Sequence, residues 1–248
     1  MKISLITVSY NSEETIKETF ESVRGQKIEG FELEYIHVDG LSNDATMEIS
    51  QEFDDIITKR ISEKDSGIYN AMNKGIHLAT GDVIGFLNSD DAFYDYDILF
   101  LIAQQFLCHS YLDIVYGDIN YVDNKGKIKR KWITGERKSF RTGWHPAHPG
   151  FYASINLFQE NGGFDEDLRI AADFDLMLRF IDVAQAKSRY IPKVFVSMKL
   201  GGESNRDFKN ILKGSQEIKN SFRKYNITPK RLYILLRWAR KVGQAIRA

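Results

Sequence analysis

The chain has almost no cysteine. Cys108 stands alone among 248 residues, so no disulfide framework can form and a reducing compartment is the natural setting. It falls in an apolar helical pattern with Ile98, Leu99, Leu101, Ile102, Phe106 and Leu107, which predicts a buried, unpaired thiol. Long apolar runs are missing too. No stretch of about 18 such residues occurs, which argues against a membrane-spanning helix. The opening Met1-Lys2-Ile3-Ser4-Leu5-Ile6-Thr7-Val8 is too short and too β-branched for a secretory leader. A soluble or peripheral protein on the cytoplasmic side is the expectation. There is also no internal repeat and no low-complexity linker.

Net charge is absent as well, but the balance is uneven. The 34 Lys/Arg match 34 Asp/Glu, yet residues 209–248 hold eleven bases and one acid, Glu217, leaving the first 208 residues with ten more acids than bases. Hydrophobic content of 43% supports one large core. The predicted organisation is a domain over 1–208 and a basic helical extension over 209–248.

What is present is alternation. Strands are predicted at 3–10, 31–39, 56–60 and 82–87, with helices at 13–23 (Ser12 as N-cap), 45–53, 66–78 and 97–108. A strand at 113–122 returns through the turn Asp123-Asn124-Lys125-Gly126-Lys127 into 128–134 as a hairpin. Alternating elements predict an α/β fold with a Rossmann-like, mostly parallel sheet flanked by helices, plus an antiparallel addition.

The apolar run Val83-Ile84-Gly85-Phe86-Leu87 ends abruptly in Asn88-Ser89-Asp90-Asp91. Strand ends of a parallel sheet face the binding crevice. Adjacent aspartates repel unless a cation sits beside them, and a hard divalent ion suits carboxylate oxygens. The bland alternative is a turn that caps the next helix. Tyr10-Asn11 ends the first strand and Asp39 the second, so three polar groups face one crevice. An aromatic face stacks on a base, and a carboxylate accepts an imide N–H. No GxGxxG follows the first strand and no GxxxxGK[ST] occurs, so nucleotide phosphates would fall to a metal.

These pieces carry a resemblance. Ser4-Leu5-Ile6-Thr7-Val8-Ser9-Tyr10-Asn11, the Val38–Thr46 turn, Asp65–Ile76, Ala79-Thr80-Gly81-Asp82 running into Asn88–Asp91, Gly162–Glu166 and Ala172–Arg179 together resemble family 2 glycosyltransferases of GT-A fold, across roughly residues 3 to 200. The resemblance implies that Tyr10 stacks on the nucleotide base, Asp39 accepts its imide hydrogen and Asp65 lies near ribose or base. Asn88-Ser89-Asp90 matches the family's Asp-x-Asp motif, with Asp90 the metal ligand and Asp91 a neighbour contacting sugar or metal. Asp173 matches the base that deprotonates the acceptor. Two departures stand out: Asn88 replaces the first Asp and, carrying no charge, is expected at ribose rather than metal, and Ala172 replaces the Glu before the base.

His145-Pro146-Ala147-His148-Pro149-Gly150 lacks Cys/His partners at zinc spacing. His148 is expected to face acceptor or diphosphate, or else to be structural, and Trp144 to floor an acceptor sugar or fill the core. Gly201-Gly202-Glu203-Ser204 is expected to form a loop near the site. On a wheel over 230–247, Leu232, Leu235, Leu236, Ala239, Val242 and Ile246 share one face, while Lys230, Arg237, Arg240, Lys241 and Arg247 gather on the other, flanked by Tyr233 and Trp238. Such a helix suits an anionic membrane surface; packing on the acidic domain is the alternative. Nucleic acid is disfavoured, because the bases are confined to one tail without a reading motif.

The expectation is therefore an inverting glycosyltransferase dependent on Mn²⁺ or Mg²⁺. Its donor would be a UDP-sugar and its acceptor a polyprenyl-diphosphate-linked saccharide of a bacterial surface polysaccharide, on the inner face of the cell membrane. A sugar-phosphate nucleotidyltransferase would want a glycine-rich, arginine-bearing loop where Ser9-Tyr10-Asn11-Ser12-Glu13-Glu14 stands. An inactive nucleotide-sugar-binding module is the reading that draws on Asn88 and Ala172.

Overall fold

The computed structural model describes residues 1–200 and 208–230, together with Tyr233 and Arg237. Four strands, β1 (Lys2–Ser9), β2 (Glu32–Asp39), β3 (Ile57–Ser62) and β4 (Val83–Phe86), pair in parallel in the order β3-β2-β1-β4. β1, most of β2 and β4 are buried on both faces, whereas β3, at the sheet edge, carries Lys59 and Arg60 and is only half-buried. Ile3, Leu5, Tyr35 and Val83 pack against α1 (Ile16–Arg24) and α4 (Ile98–Cys108). Ile6, Val8, Ile36, Val38, Ile84 and Phe86 face the opposite layer, where α3 (Ile68–Leu78) packs. The short α2 (Thr46–Gln51) bridges β2 and β3.

The sheet continues through one strand that the sequence pattern predicts and three that it does not disclose. Strand β8 (Phe151–Ser154) runs antiparallel to β4 and to β6 (Ile114–Val122); β9 (Ser188–Lys199) runs parallel to β6, and β5 (Ala92–Phe93) closes the edge on β9. Tyr152 of β8 lies opposite Gly85, where any Cβ would collide with its ring, so this strand position admits only glycine. The anticipated hairpin forms: β7 (Ile128–Trp132) returns along β6, and the Asp123 carboxylate accepts from the Lys125 and Lys127 N–H groups within the turn.

Helices α5 (Ile155–Asn161), α6 (Ala172–Leu178), which runs on into a π-helical turn at Arg179–Val183, and α7 (Phe208–Lys224) complete the layer over α3. The expected boundary at 208/209 is not a break in packing. Ile218 and Phe222 of α7 are buried in the same core as α6, and Glu217 accepts from the N–H groups of Arg169, Ile170 and Ala171.

Two local expectations need correction. Cys108 is exposed, because the buried face of α4 runs through Ile98, Leu99, Ile102 and Ala103 and the last turn rotates Cys108 away. Ser12 is not the side-chain cap of α1; the helix starts at Ile16, and the Ser12 hydroxyl pairs with that of Ser89 at 2.9 Å. The described part of the tail faces inward: Lys230 N–H donates to the Arg141 carbonyl, the Tyr233 ring sits edge-on to Phe222, and Arg237 backbone lies against Gly143. The rest of the 230–247 helix and the Gly201–Ser204 loop lie outside the described residues. Among the described residues, no helix is long and apolar enough to cross a membrane.

Candidate active site

The parallel strands end at one rim. After β1 the chain leaves Tyr10 exposed at 63%, and Asn11 takes a left-handed turn at φ 49°. That turn is locked to the loop after β2: Asn11 N–H donates to Ser42 Oγ, and Asn11 Oδ1 accepts from Asn43 N–H. Asp39, at the end of β2, is fully buried. Each of its oxygens has two donors: Ser9 and Ser42 hydroxyls on Oδ1, the Ser42 N–H and Ser62 hydroxyl on Oδ2. Burial pushes this carboxyl up, but donation from Ser42, Ser62 and Ser9 outweighs it and holds Asp39 below its ordinary value. Asp65 crowds Gly40, where a Cβ would strike its carboxylate, and receives the Gly67 N–H. Tyr10, Asp39 and Asp65 therefore share one corner.

The second corner is the loop after β4. Leu87 N–H donates to the Ile6 carbonyl, and the Thr19 hydroxyl of α1 donates to the Asp91 carbonyl, fixing the loop to two elements. Asn88 Nδ2 donates to Asp91 Oδ2 at 3.2 Å, while Asn88 Oδ1 and Asp91 Oδ1 are buried with no partner. Burial raises Asp90; burial and the adjacent Asp90 charge raise Asp91 well above the usual carboxylate range. Buried oxygens left unpaired demand an explanation. Hard oxygen donors beside two carboxylates fit a divalent cation that also takes substrate phosphates. Among the described residues no group of three His, Cys, Asp or Glu could hold a metal by itself, so such an ion would use the Asn88 amide oxygen and two carboxylates.

Asp173 lies in the first turn of α6, where the helix dipole favours an anion, and its Oδ1 accepts from the Phe174 N–H at 2.7 Å. Desolvation nevertheless pushes it up to about 6, against the pull of the Phe174 N–H and the Arg237 charge. Two neighbours of this carboxyl escaped the sequence reading. Tyr69, stacked on Phe164 at 5.5 Å, carries a hydroxyl raised by burial and by the Asp173 charge. Tyr121 of β6 is pushed up to about 12 by burial, and both Asp91 and Asp173 contribute to the rise. Its ring therefore stands within electrostatic reach of both carboxylates. Over that ring lies Arg130 of β7, 3.8 Å from the centroid, its buried Nε without a hydrogen-bond partner. The only sequence signal for Tyr121 and Arg130 was their opposition across the hairpin.

Trp144 takes its core alternative, whereas His148 sits in an aromatic cluster with its Nε2 unpartnered. Trp144 is 2% exposed, with its indole N–H donated to the Thr134 carbonyl. His148 packs on Phe86 and Phe164, and burial lowers its pKa to about 4, which keeps it neutral.

Comparison with known proteins agrees with this geometry. The family model "Glycosyl transferase family 2" matches residues 4–163. A PGL/p-HBAD biosynthesis glycosyltransferase of Mycobacterium bovis (strain BCG / Pasteur 1173P2) is 30% identical over 206 residues, covering 82% of this chain and 78% of the relative. Escherichia coli chondroitin synthase is 28% identical over 237 residues, 94% of this chain but 33% of that protein. Among solved structures, S. aureus TarS 1-349 in complex with UDP-GlcNAc superposes with a TM-score of 0.68 at 18% identity, over 92% of this chain and 68% of that one. The mannosyltransferase PcManGT of Pyrobaculum calidifontis, in complex with GDP-Man and Mn²⁺, gives 0.67 at 17% identity, over 99% and 73%. With a family model spanning more than half of its length and the matching sheet beneath it, the chain belongs to glycosyl transferase family 2 and has the GT-A fold.

Proposed function

We propose that this glycosyltransferase is inverting and divalent-cation-dependent, and that it moves a hexosyl or N-acetylhexosaminyl group from a UDP-sugar to a saccharide carried on polyprenyl diphosphate, in bacterial surface polysaccharide synthesis. One observation carries the reading: at the end of β4, Asn88 Oδ1 and Asp91 Oδ1 are buried beside Asp90 with no partner, a set of hard oxygens that suits the cation of a diphosphate. Asp173, a carboxyl of raised proton affinity, supports the second half as the proton acceptor. The neighbours bound to UDP-GlcNAc, and to GDP-Man with Mn²⁺, support a nucleotide-sugar donor and a cation.

In this reading Tyr10 stacks on the base, Asp39 accepts its imide N–H, and Asp65 lies beside the ribose. The exposed Ser62 hydroxyl occupies an acceptor site of Asp39 and must turn away for the base to bind. Asp90, Asp91 and the Asn88 amide oxygen would hold Mn²⁺ or Mg²⁺, which supplies positive charge where the diphosphate leaves. Asp173, mostly ionised at neutral pH yet basic for a carboxylate, takes the acceptor hydroxyl's proton as that oxygen attacks the anomeric carbon. The sugar–phosphate C–O bond breaks on the opposite face, a new glycosidic C–O bond forms, and configuration inverts.

Thermal denaturation with UDP, with and without Mn²⁺, tests the binding half, since a ligand specific to the native state raises Tm. UDP should stabilise the wild type more with Mn²⁺ than without, and Asp90→Ala should lose the Mn²⁺-dependent part. Transfer should cease in excess chelator and return on adding Mn²⁺. Full activity in chelator would overturn the cation's role.

A further inference from the structure

Asp39 is the end of a buried chain of polar side chains that no step above uses. Arg60, on β3 and paired with Asp54 at 2.7 Å, donates Nε–H to the Ser50 hydroxyl at 2.7 Å and a second N–H to the Ser50 carbonyl. Ser50 Oγ lies 2.8 Å from His37 Nδ1, and His37 Nε2 lies 2.8 Å from Ser9 Oγ, which lies 3.0 Å from Asp39 Oδ1. Ser9, His37, Asp39 and Ser50 are all buried, and Phe20 holds the imidazole edge-on at 5.2 Å.

Every link has a forced direction. A guanidinium only donates and an ionised carboxylate only accepts. Ser9 must spend its proton on Asp39, so its oxygen accepts from His37 Nε2–H. Burial lowers His37 to about 4, leaving the ring neutral, so Nδ1 is bare and takes the Ser50 proton, while Ser50 Oγ accepts from Arg60. The opposite tautomer would set the bare Nε2 lone pair against the Ser9 oxygen, whose proton is committed to Asp39.

We infer that the Arg60–Ser50–His37–Ser9 relay makes His37 a positioning residue for nucleotide choice, fixing Asp39 as an oriented, acceptor-only carboxylate that admits a base with an N–H on that edge and rejects one with a bare ring nitrogen there. The inference rests on the proposed role of Asp39 at the base. Its two oxygens are not equivalent. Oδ1 is tied inward through Ser9, whereas the Ser62 hydroxyl on Oδ2 belongs to an exposed residue, and its place is the one a base N–H can take. Uracil offers N3–H at such a site; cytosine offers a lone pair, which the carboxylate repels.

The test measures UDP and CDP affinities by calorimetry on the full chain in Mn²⁺. Wild type should prefer UDP. Ser9→Ala and His37→Leu should each narrow the UDP/CDP ratio by about tenfold, the scale of one oriented charge-assisted hydrogen bond. His37→Gln, which keeps a donor near Nε2, should recover most of it, and Ser62→Ala should leave it undiminished. Ser9→Ala, lacking one hydroxyl, carries the test should His37→Leu fail to fold. Nitrogen-15 shifts of His37 should report the Nε2–H tautomer. If Asp39→Asn abolishes the preference while Ser9→Ala and His37→Leu leave it intact, the relay is wrong and the base site stands. If Asp39→Asn keeps the preference, the base site is wrong and the relay falls with it. Equal effects of Ser9→Ala and Ser62→Ala would also overturn the relay.

Discussion

As the proposed base, Asp173 carries two opposed demands. A base must be ionised to act, yet its surroundings disfavour the ion and lift its pKa to about 6. The rate profile follows: kcat/KM should lose its acid limb near pH 6, falling about tenfold per unit below it. The stability profile has the opposite sign. The folded carboxyl binds its proton more tightly than the unfolded one, so the native state is penalised above pH 6, and the penalty fades as pH falls toward 4. Asp173→Asn should therefore raise Tm at pH 8, by about 1–2 kcal/mol of stability after discounting for partial exposure, and the gain should vanish by pH 4. A destabilised Asp173→Asn at pH 8 would mean that the Phe174 contact, not desolvation, dominates this position. The carboxylates themselves were legible in the sequence, because Asp39 and Asn88–Asp91 follow apolar strand runs. Their surroundings were not: apart from Ser42, three residues on, the groups around them (Tyr69, Tyr121, Ser9 and Ser62) come from distant segments, so the fully satisfied Asp39 and the raised Asp173 emerge only in three dimensions.

At the scale of elements, α7 holds the segment that presents Asp173. Glu217, the lone acid of the basic end, takes three consecutive N–H groups at 3.1, 2.9 and 2.9 Å just before α6. Glu217→Ala leaves the buried Ala171 N–H and the half-buried Arg169 and Ile170 N–H groups without their acceptor and should cost about 2–3 kcal/mol. It should also lower kcat with little change in UDP affinity, because the nucleotide corner lies on β1 and β2. Thermal denaturation and UDP titration check both parts; a loss confined to UDP affinity would contradict this coupling. Charge counting had assigned Glu217 to an extension. Only contacts with 169–171 reveal its place in the core. Short strands escaped for a related reason. Two residues of β5 and four of β8 carry no period, and Pro192, with its charged neighbours, breaks the pattern of β9. The long first strands and the β6–β7 hairpin were legible, since each contains its own pattern and turn.

For the whole molecule, the uneven charge remains to be placed. Tyr233 and Arg237 face the domain; the proposed membrane contact is therefore tested at Arg240, Lys241 and Arg247, which lie outside the described residues. At about 1 kcal/mol per basic residue near an anionic surface, replacing these three by Gln should release the protein from anionic vesicles without moving Tm. Tyr233→Ala should instead lower Tm, because its ring fills the core beside Phe222. Vesicle binding unchanged by the triple substitution would remove the membrane from the account.

Single-turnover kinetics on Asp173→Asn, alongside its UDP dissociation constant, most directly test the separation of the proposed nucleotide corner from the proposed base. Asn keeps shape and hydrogen-bonding reach but takes no proton at neutral pH. Transfer from the nucleotide-sugar should slow by about 10² or more, while UDP affinity stays at the wild-type value. Wild-type transfer by Asp173→Asn, or weakened UDP binding with transfer otherwise intact, would contradict the account.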